Sequence, residues 1–367
     1  MVAQKTVVPY TFTDIVTNQQ YTCQVGVATY PVNNIGTKPP VVFVHGWTSK
    51  MGGFWWAYNN TIVSLAMKND YFVACVNLDP NNSIENNALL LKQQLVSITT
   101  NYATKLSTPS VQVQVTLVCH SKGGLDAQGM LYYYRETIPL VKRVITLSTP
   151  FWGSPLCNLI FDAKSTYIIP KLSEMLRNDA SDATSNLTTT FCEKFRKSFD
   201  AMYNDSSNGA PPFFTVGGIG TNGSKAIYDG MAKEYMNYLG ANDDDVHYQS
   251  AQTPGGYVVA ILPYYHDQIA SGDNIWTIIE PYISGNMSYS NALYRTDPNY
   301  TFKITSSQID KALTVTALYM GASTWMYWVF PLIGIFVLYY VIKYAYNYTV
   351  SRSQENLDKD FLDYDDL

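Results

Sequence analysis

The sequence predicts an α/β architecture: a mostly parallel central sheet covered by helices on both faces. Three observations carry that expectation. Between residues 38 and 283, short apolar runs alternate with stretches of helical pattern, the rhythm of a parallel sheet with crossover helices. Several of the runs are apolar throughout, as strands covered on both faces must be. His45, Ser121, Thr149 and His266 fall at or just past the carboxyl ends of those runs, where parallel sheets hold their ligands.

In chain order, residues 1–37 form an amino-terminal strand region. The alternation in YTCQVGVATYP predicts an edge strand ended by Pro31, and Asn33-Asn34-Ile35-Gly36 reads as a turn. VVFVHG, 41–46, is a covered strand. Gly53 to Met67 carries aromatics at helical spacing. YFVACVNLD, 71–79, reads as the next strand, and Ala88 to Tyr102 as a helix with Leu89, Lys92, Leu95 and Val96 on one face. VQVTLVCHSKGGL, 112–124, is strand, corner and helix, and VKRVITLSTP then supplies another strand. Residues 151–210 break the rhythm with a polar stretch containing amphipathic pieces at Tyr167 to Leu176 and Phe191 to Tyr203. Such an insertion is expected to arch over the strand ends as a lid. FFTVGGIG, 213–220, and YVVAILPYYHD, 257–267, return to strand character. Lys225 to Leu239 and 272–283 read as helices, the second with Asp273 near its start. Residues 284–316 are an extension, a hairpin or a stalk.

Composition narrows the function classes. A chain of 367 residues with net charge -5 and no basic cluster offers nothing to track a phosphate backbone, so nucleic acid is excluded as a partner. The five cysteines, at 23, 75, 119, 157 and 192, lack metal-ligand spacing. Cys75 and Cys119 sit inside strand patterns as buried thiols, while Cys157 and Cys192 form a disulfide only if the compartment is oxidising.

The amino terminus has no continuous apolar core, so no cleavable signal peptide is expected there. WMYWVFPLIGIFVLYYVI, from Trp325 to Ile342, is free of charge, has aromatics at both ends, and reaches spanning length when extended back to Ala317. Residues 317–343 are therefore expected to be a single transmembrane helix in a lipid bilayer, followed by an acidic polar tail, 344–367. N-x-S/T sequons at Asn59, Asn81, Asn186, Asn204, Asn222, Asn286, Asn299 and Asn347 lean toward a lumenal or extracellular domain carrying glycans. The missing signal peptide leaves the side undecided and an organelle membrane open.

The chemistry centres on Ser121. A G-x-S-x-G elbow holds its Ser at a strained corner between strand and helix, and needs small residues two positions to either side. Gly123 meets that need downstream, and Cys119 replaces the upstream Gly. Only four histidines exist. His120 is expected to point away from its neighbour, and His45 to brace the first loop. That leaves His247 and His266 as the base, with His266 last in the chain and just past a strand. Asp229, Asp243, Asp244 and Asp245 lie between the preceding strand and His266 and can supply the acid that fixes the base's tautomer. The backbone N–H groups of Trp47 and Lys122 are the natural pair to meet an oxyanion.

VVFVHGW at 41–47, VCHSKGG at 118–124, LSTPFWGSP at 147–155, NDDDVHYQSA at 242–251 and YYHDQIAS at 264–271 resemble the lipase and esterase branch of the α/β-hydrolase superfamily. Phe151 stands where His is common in that branch. The resemblance covers residues 38–283. It implies an α/β-hydrolase domain with a lid, the triad Ser121, Asp243 and His266, and no metal or organic cofactor. It implies hydrolysis of carboxylic esters through an acyl-enzyme. Trp47, Phe54, Trp55, Trp56 and Trp152 would line an entrance for a lipid-like or other apolar ester. A second reading keeps the fold as a catalytically weak or inactive subunit with a structural or binding role in a membrane protein complex.

Overall fold

The computed structural model describes residues 4–13, 20–29, 38, 40–47, 61–106, 113–161, 180–203, 208–220, 227–271, 273–287, 289–318 and 334–345. The chain divides into two compact units, Met1–Leu313 and Thr314–Leu367. In the first, the sheet contains β1 (Gln4–Thr13), β2 (Gln20–Thr29), β3 (Val41–Val44), β4 (Val73–Cys75) and β5 (Val115–His120). It continues with β6 (Val141–Leu147), β7 (Phe213–Gly218), β8 (Tyr257–Leu262) and β9 (Tyr294–Arg295). The helices are α1 (Thr61–Lys68), α2 (Ile84–Leu106), α3 (Lys122–Tyr133), α4 (Pro155–Phe161), α5 (Asp182–Asn186), α6 (Thr189–Tyr203), α7 (Ile227–Leu239) and α8 (Asp273–Ser284).

The strand order is β1-β2-β4-β3-β5-β6-β7-β8-β9. The block from β4 to β8 is parallel. The β1–β2 hairpin and β9 join antiparallel at its two edges. The predicted parallel core is thus present, and one expected amino-terminal strand is two. The strand read at 71–79 shortens to Val73–Cys75.

Period-two alternation divides the apolar residues between two cores. Val42, Val44, Leu117 and Cys119 face one, with α2, α3 and α6. Val41, Phe43, Val118 and Ile145 face the other, with α1 and α8. Each such side chain contributes roughly 1.5–3 kcal/mol when fully buried, and the two cores hold β5 rigidly from both faces. In α2 the buried face is Ile84, Ala88, Leu91, Leu95, Ile98 and Tyr102, a three-four spacing. The face read through Val96 is rotated from the real one: Val96 is exposed and Lys92 reaches outward to Glu136 at 2.5 Å.

Three expectations are corrected here. The extension after residue 284 is neither a free hairpin nor a stalk along its described length. Leu293 donates its N–H to Val258 O at 2.8 Å, and Tyr289 stacks on Phe214 and Tyr257. It covers the sheet's open edge with a ninth strand, which exposed edges require. Cys157 and Cys192 are free, buried thiols, and burial raises both thiol pKa values. The sequon Asn186 is buried, and its Oδ1 accepts the first N–H of α2, from Ile84, at 2.7 Å, so that amide caps a helix and offers nothing to a glycan.

Of the segment read as a lid, residues 162–179 lie outside the described residues, and with them the amphipathic piece at Tyr167 to Leu176. Its described helix α6 packs Phe195, Phe199 and Met202 into the same core as α3. Most of the expected membrane segment, 319–333, also lies outside the described residues, as does the tail from 346 onward. The second unit is helical at 314–318 and 334–345, and no described helix is long and apolar enough to cross a membrane.

Candidate active site

The carboxyl ends of β3, β5, β6 and β8 carry the chemistry. At the end of β5 the chain turns into α3 through Ser121 alone, at φ 53° and ψ -131°. A non-glycine residue there costs roughly 1–3 kcal/mol and persists only when its surroundings over-determine it. Those surroundings are on hand. The Ser121 N–H donates to Leu147 O on β6 at 2.9 Å, and Gly124 N–H donates to Ser121 O at 3.1 Å. Gly46 lies so close that a Cβ on it would stand 2.6 Å from Ser121 Cβ and 3.1 Å from its Oγ. The loop bearing Trp47 is thereby set against the Ser121 side chain.

Gly123 makes the other obligatory close approach. A Cβ on it would fall 2.6 Å from His45 O and 2.8 Å from Val44 O, backbone atoms that cannot swing aside. Gly123→Ala is therefore expected to destabilise the fold by about 2–3 kcal/mol, the upper range for overpacking, read as a lower urea midpoint at unchanged slope. An unchanged midpoint would show that β3 and α3 can separate at no cost. Cys119, where the motif usually has Gly, fits because it is small and wholly buried.

His266 and Asp243 meet. His266 Nδ1 donates to Asp243 Oδ2 at 2.9 Å, and the His266 N–H donates to Asp243 O at 2.8 Å. Asp243 is fully buried. Its Oδ1 accepts N–H groups from Val246 at 2.7 Å and Asp245 at 3.2 Å. A carboxylate held by three donors has its orientation decided. Burial by itself would push His266 down. The charge and hydrogen bond of Asp243, helped by Asp245 and Asp267, outweigh burial and raise it to about 9. With Nδ1 engaged, Nε2 is left to exchange a proton.

Of the alternative acids, Asp244 sits at φ 82° with its N–H on Asn242 Oδ1, and Asp245 is exposed. Asp229 falls in α7, with its side chain outside the described residues. The alternative base His247 stacks between Tyr248 and Phe302 and accepts Gln249 N–H on Nδ1; burial lowers it to about 4.

His120 has a structural place: its ring packs on His266 with centroids 4.7 Å apart, and its Nε2 donates to His266 O at 2.9 Å. Burial and the charge on His266 keep it neutral. Ser121's own neighbour in sequence therefore anchors the loop that carries His266. The only signal in the sequence was adjacency. His45 does brace its loop: Nδ1 donates to Gly46 O at 3.0 Å and Nε2 accepts Leu78 N–H at 3.0 Å. Burial lowers it to about 4.

Lys122 is buried, with Nζ 2.7 Å from Asp126 Oδ1, and Asn87 donates to Asp126 Oδ2 at 3.1 Å. Burial lifts Asp126 to about 6, against the pull of Lys122. This i,i+4 pair occupies the first turn of α3, where the backbone N–H groups have no intrahelical acceptor. Trp47 is half-buried against the core. Phe54, Trp55 and Trp56 lie outside the described residues. Trp152 is buried, with its indole N–H on Gln252 O and its backbone N–H on Ser250 Oγ. It lines a cavity whose walls include none of Ser121, Asp243 and His266.

Known proteins share this fold. Residues 37–197 match the family model described as a PGAP1-like alpha/beta domain. The mature form of the Bacillus licheniformis lipase BlEst2 is similar at 27% identity. The alignment covers 70% of this chain and 96% of that one, with a TM-score of 0.58. Its propeptide form is similar at 26% identity over 77% of this chain, with a TM-score of 0.61, and this chain spans only 56% of that longer one. No curated protein sequence gave a significant match.

Proposed function

From a chain with the α/β-hydrolase fold of lipases and esterases, we propose a serine hydrolase that cleaves carboxylic esters with apolar acyl groups through an acyl-enzyme. The observation that carries the reading is the buried Asp243–His266 pair at 2.9 Å, anchored through His120 beside Ser121 at φ 53°. A structural protein has no need to combine a strained Ser, a base with one fixed tautomer and an acid held by three donors.

In this reading Ser121 Oγ attacks the ester carbonyl carbon and passes its proton to His266 Nε2. Negative charge develops on the carbonyl oxygen and is met by the N–H groups of Trp47 and Lys122. Collapse expels the alcohol, which takes the proton from Nε2. Water then repeats the sequence on the acyl-enzyme and releases the acid. The Asp243 carboxylate offsets the imidazolium charge. His45 sets the Gly46-Trp47 loop through Leu78 and Gly46. Lys122 uses its backbone at the oxyanion while its side chain is tied to Asp126.

The lipid side of the proposal rests on the second unit. Residues 334–345 form a helix whose apolar side chains, among them Ile335, Phe336, Val337, Leu338, Val341 and Ile342, are more than half exposed. Together with the charge-free stretch before them, they support a bilayer anchor at 317–343 that would hold the hydrolase near lipid-like esters. Fluorophosphonate labelling followed by peptide mapping, with p-nitrophenyl esters of two, eight and sixteen acyl carbons, tests the whole reading. Labelling at Ser121 with preference for the longer esters, strengthened by mixed micelles, is the expected result. Folded protein that neither labels nor turns over any ester in the presence of detergent would sink it and restore the silent-subunit reading.

A further inference from the structure

A cavity of about 440 Å³ opens between α6 and residues 298–303, lined by Trp152, Arg196, Asp200, Tyr300, Phe302 and Lys303 among others. Its size is that of a small-molecule site, and its charge is unlike that of the chain around it. The described walls carry three cations, Arg196, Lys197 and Lys303, against two carboxylates, Glu193 and Asp200. That leaves one positive charge in excess in a protein of net charge -5.

Arg196 is the reason to read a ligand there. Its side chain is 1% exposed, and among the described residues its ion-pair partner is Asp200, at 2.6 Å from Nη2. Nη1 donates to Thr253 Oγ1 at 2.9 Å, and Nε has no acceptor among the described residues. The guanidinium carbon lies 5.5 Å from the Phe151 ring centre and 5.0 Å from that of Phe199. Aromatic faces attract a cation but leave its N–H groups unmet. A buried guanidinium is costly unless its donors are satisfied. At the mouth, Lys197 and Lys303 share the single carboxylate of Glu193, each at 3.7 Å, and both side chains are about three-quarters exposed. Ion pairs that long and that wet contribute little, so both ammonium groups are free to turn toward an incoming anion. Of the remaining walls, only Asn299 and Thr301 are uncharged polar residues, and the rest is aromatic or apolar: the Trp152 and Tyr300 rings meet edge to face at 6.0 Å, beside Phe302 and Pro298.

We propose that this cavity binds a monoanionic carboxylate with a flat apolar body, the carboxylate between Arg196 and the two rim lysines and the body against Trp152, Tyr300 and Phe302. One excess charge matches one carboxylate, whereas a phosphate dianion would leave a charge unmet. The site does not depend on turnover at Ser121. The floor is nonetheless tied to the Ser121 helix, because Gln128 on α3 donates to the same Thr253 hydroxyl at 3.3 Å.

The test is calorimetric titration of the full chain carrying Ser121→Ala with 2-naphthoate and with 2-naphthylmethanol, which differ in charge and little in shape. The expected result is one saturable naphthoate site per chain, with the alcohol at least tenfold weaker. Lys197→Glu combined with Lys303→Glu should weaken naphthoate at least tenfold while changing the alcohol little. Arg196→Met should abolish naphthoate binding. If that buried substitution prevents folding, the two exposed lysines still decide the matter. No saturable binding, equal affinity for acid and alcohol, or undiminished affinity in the double lysine variant would each overturn the proposal.

Discussion

Ser121→Ala is expected to lower kcat for any ester substrate by on the order of 10⁶, the loss seen when a triad nucleophile is removed, and to abolish fluorophosphonate labelling. Stability should hardly move. Alanine at φ 53° meets the same backbone strain as serine, and the N–H bond to Leu147 O is untouched. Thermal unfolding of the variant should therefore match the parent, which separates a lost nucleophile from a lost fold. Ser121→Gly sharpens the contrast. It loses the same hydroxyl, but the left-handed conformation suits glycine, so its stability should rise by about 1 kcal/mol. Undiminished ester turnover in Ser121→Ala would place the nucleophile elsewhere.

Asp243→Asn should cost on the order of 10⁴ in kcat, and it should also change the pH profile. An asparagine can keep the N–H groups of Val246 and Asp245 only by pointing its oxygen at them, which turns its NH₂ toward His266 Nδ1. Nδ1 must then accept, the ring proton moves to Nε2, and Nε2 can no longer take a proton from Ser121. In the parent, activity needs neutral His266, so the acid limb of kcat/KM should lie above the ordinary histidine range, toward the raised value of about 9. With the Asp243 charge gone, burial acts with less opposition and the limb should move to lower pH. Stability follows the same linkage. A histidine raised on folding contributes stability that is fully present below its unfolded pKa of about 6.5 and is lost as pH rises through the folded value. Unfolding free energy measured from pH 6 to pH 10 should thus fall across that window in the parent and stay flatter in Asp243→Asn. An acid limb at the same pH in both proteins would mean that Asp243 does not set the charge state of His266.

Much of this arrangement was legible in the chain because it depends on local rules. Strands β3, β5 and β6 announce themselves as apolar runs, and the corner at Ser121 by the small residues that a tight strand-to-helix passage demands. Asp243 was separable from its neighbours Asp244 and Asp245 only through resemblance to relatives, since three adjacent carboxylates differ in nothing but the direction each side chain faces. The turn that sends Asp244 to φ 82° while Asp243 accepts from Val246 and His266 is a product of folding.

What the amino-acid sequence by itself determined is the α/β rhythm, the order of the chemical groups along the chain and their place at the carboxyl ends of strands. Period and spacing are properties of neighbours in sequence, and they act through backbone sterics and burial over a few residues. Only the tertiary structure decided that His120 carries the loop of His266 across 146 residues, that Asn186 caps α2 rather than facing water, and that residues after 284 seal the sheet edge. The same holds for Arg196, whose meeting with Thr253 and two phenylalanine rings makes a charged cavity. Each is a contact between groups far apart in the chain, formed because a buried polar atom must find a partner, and no local pattern records which partner the packed interior will present.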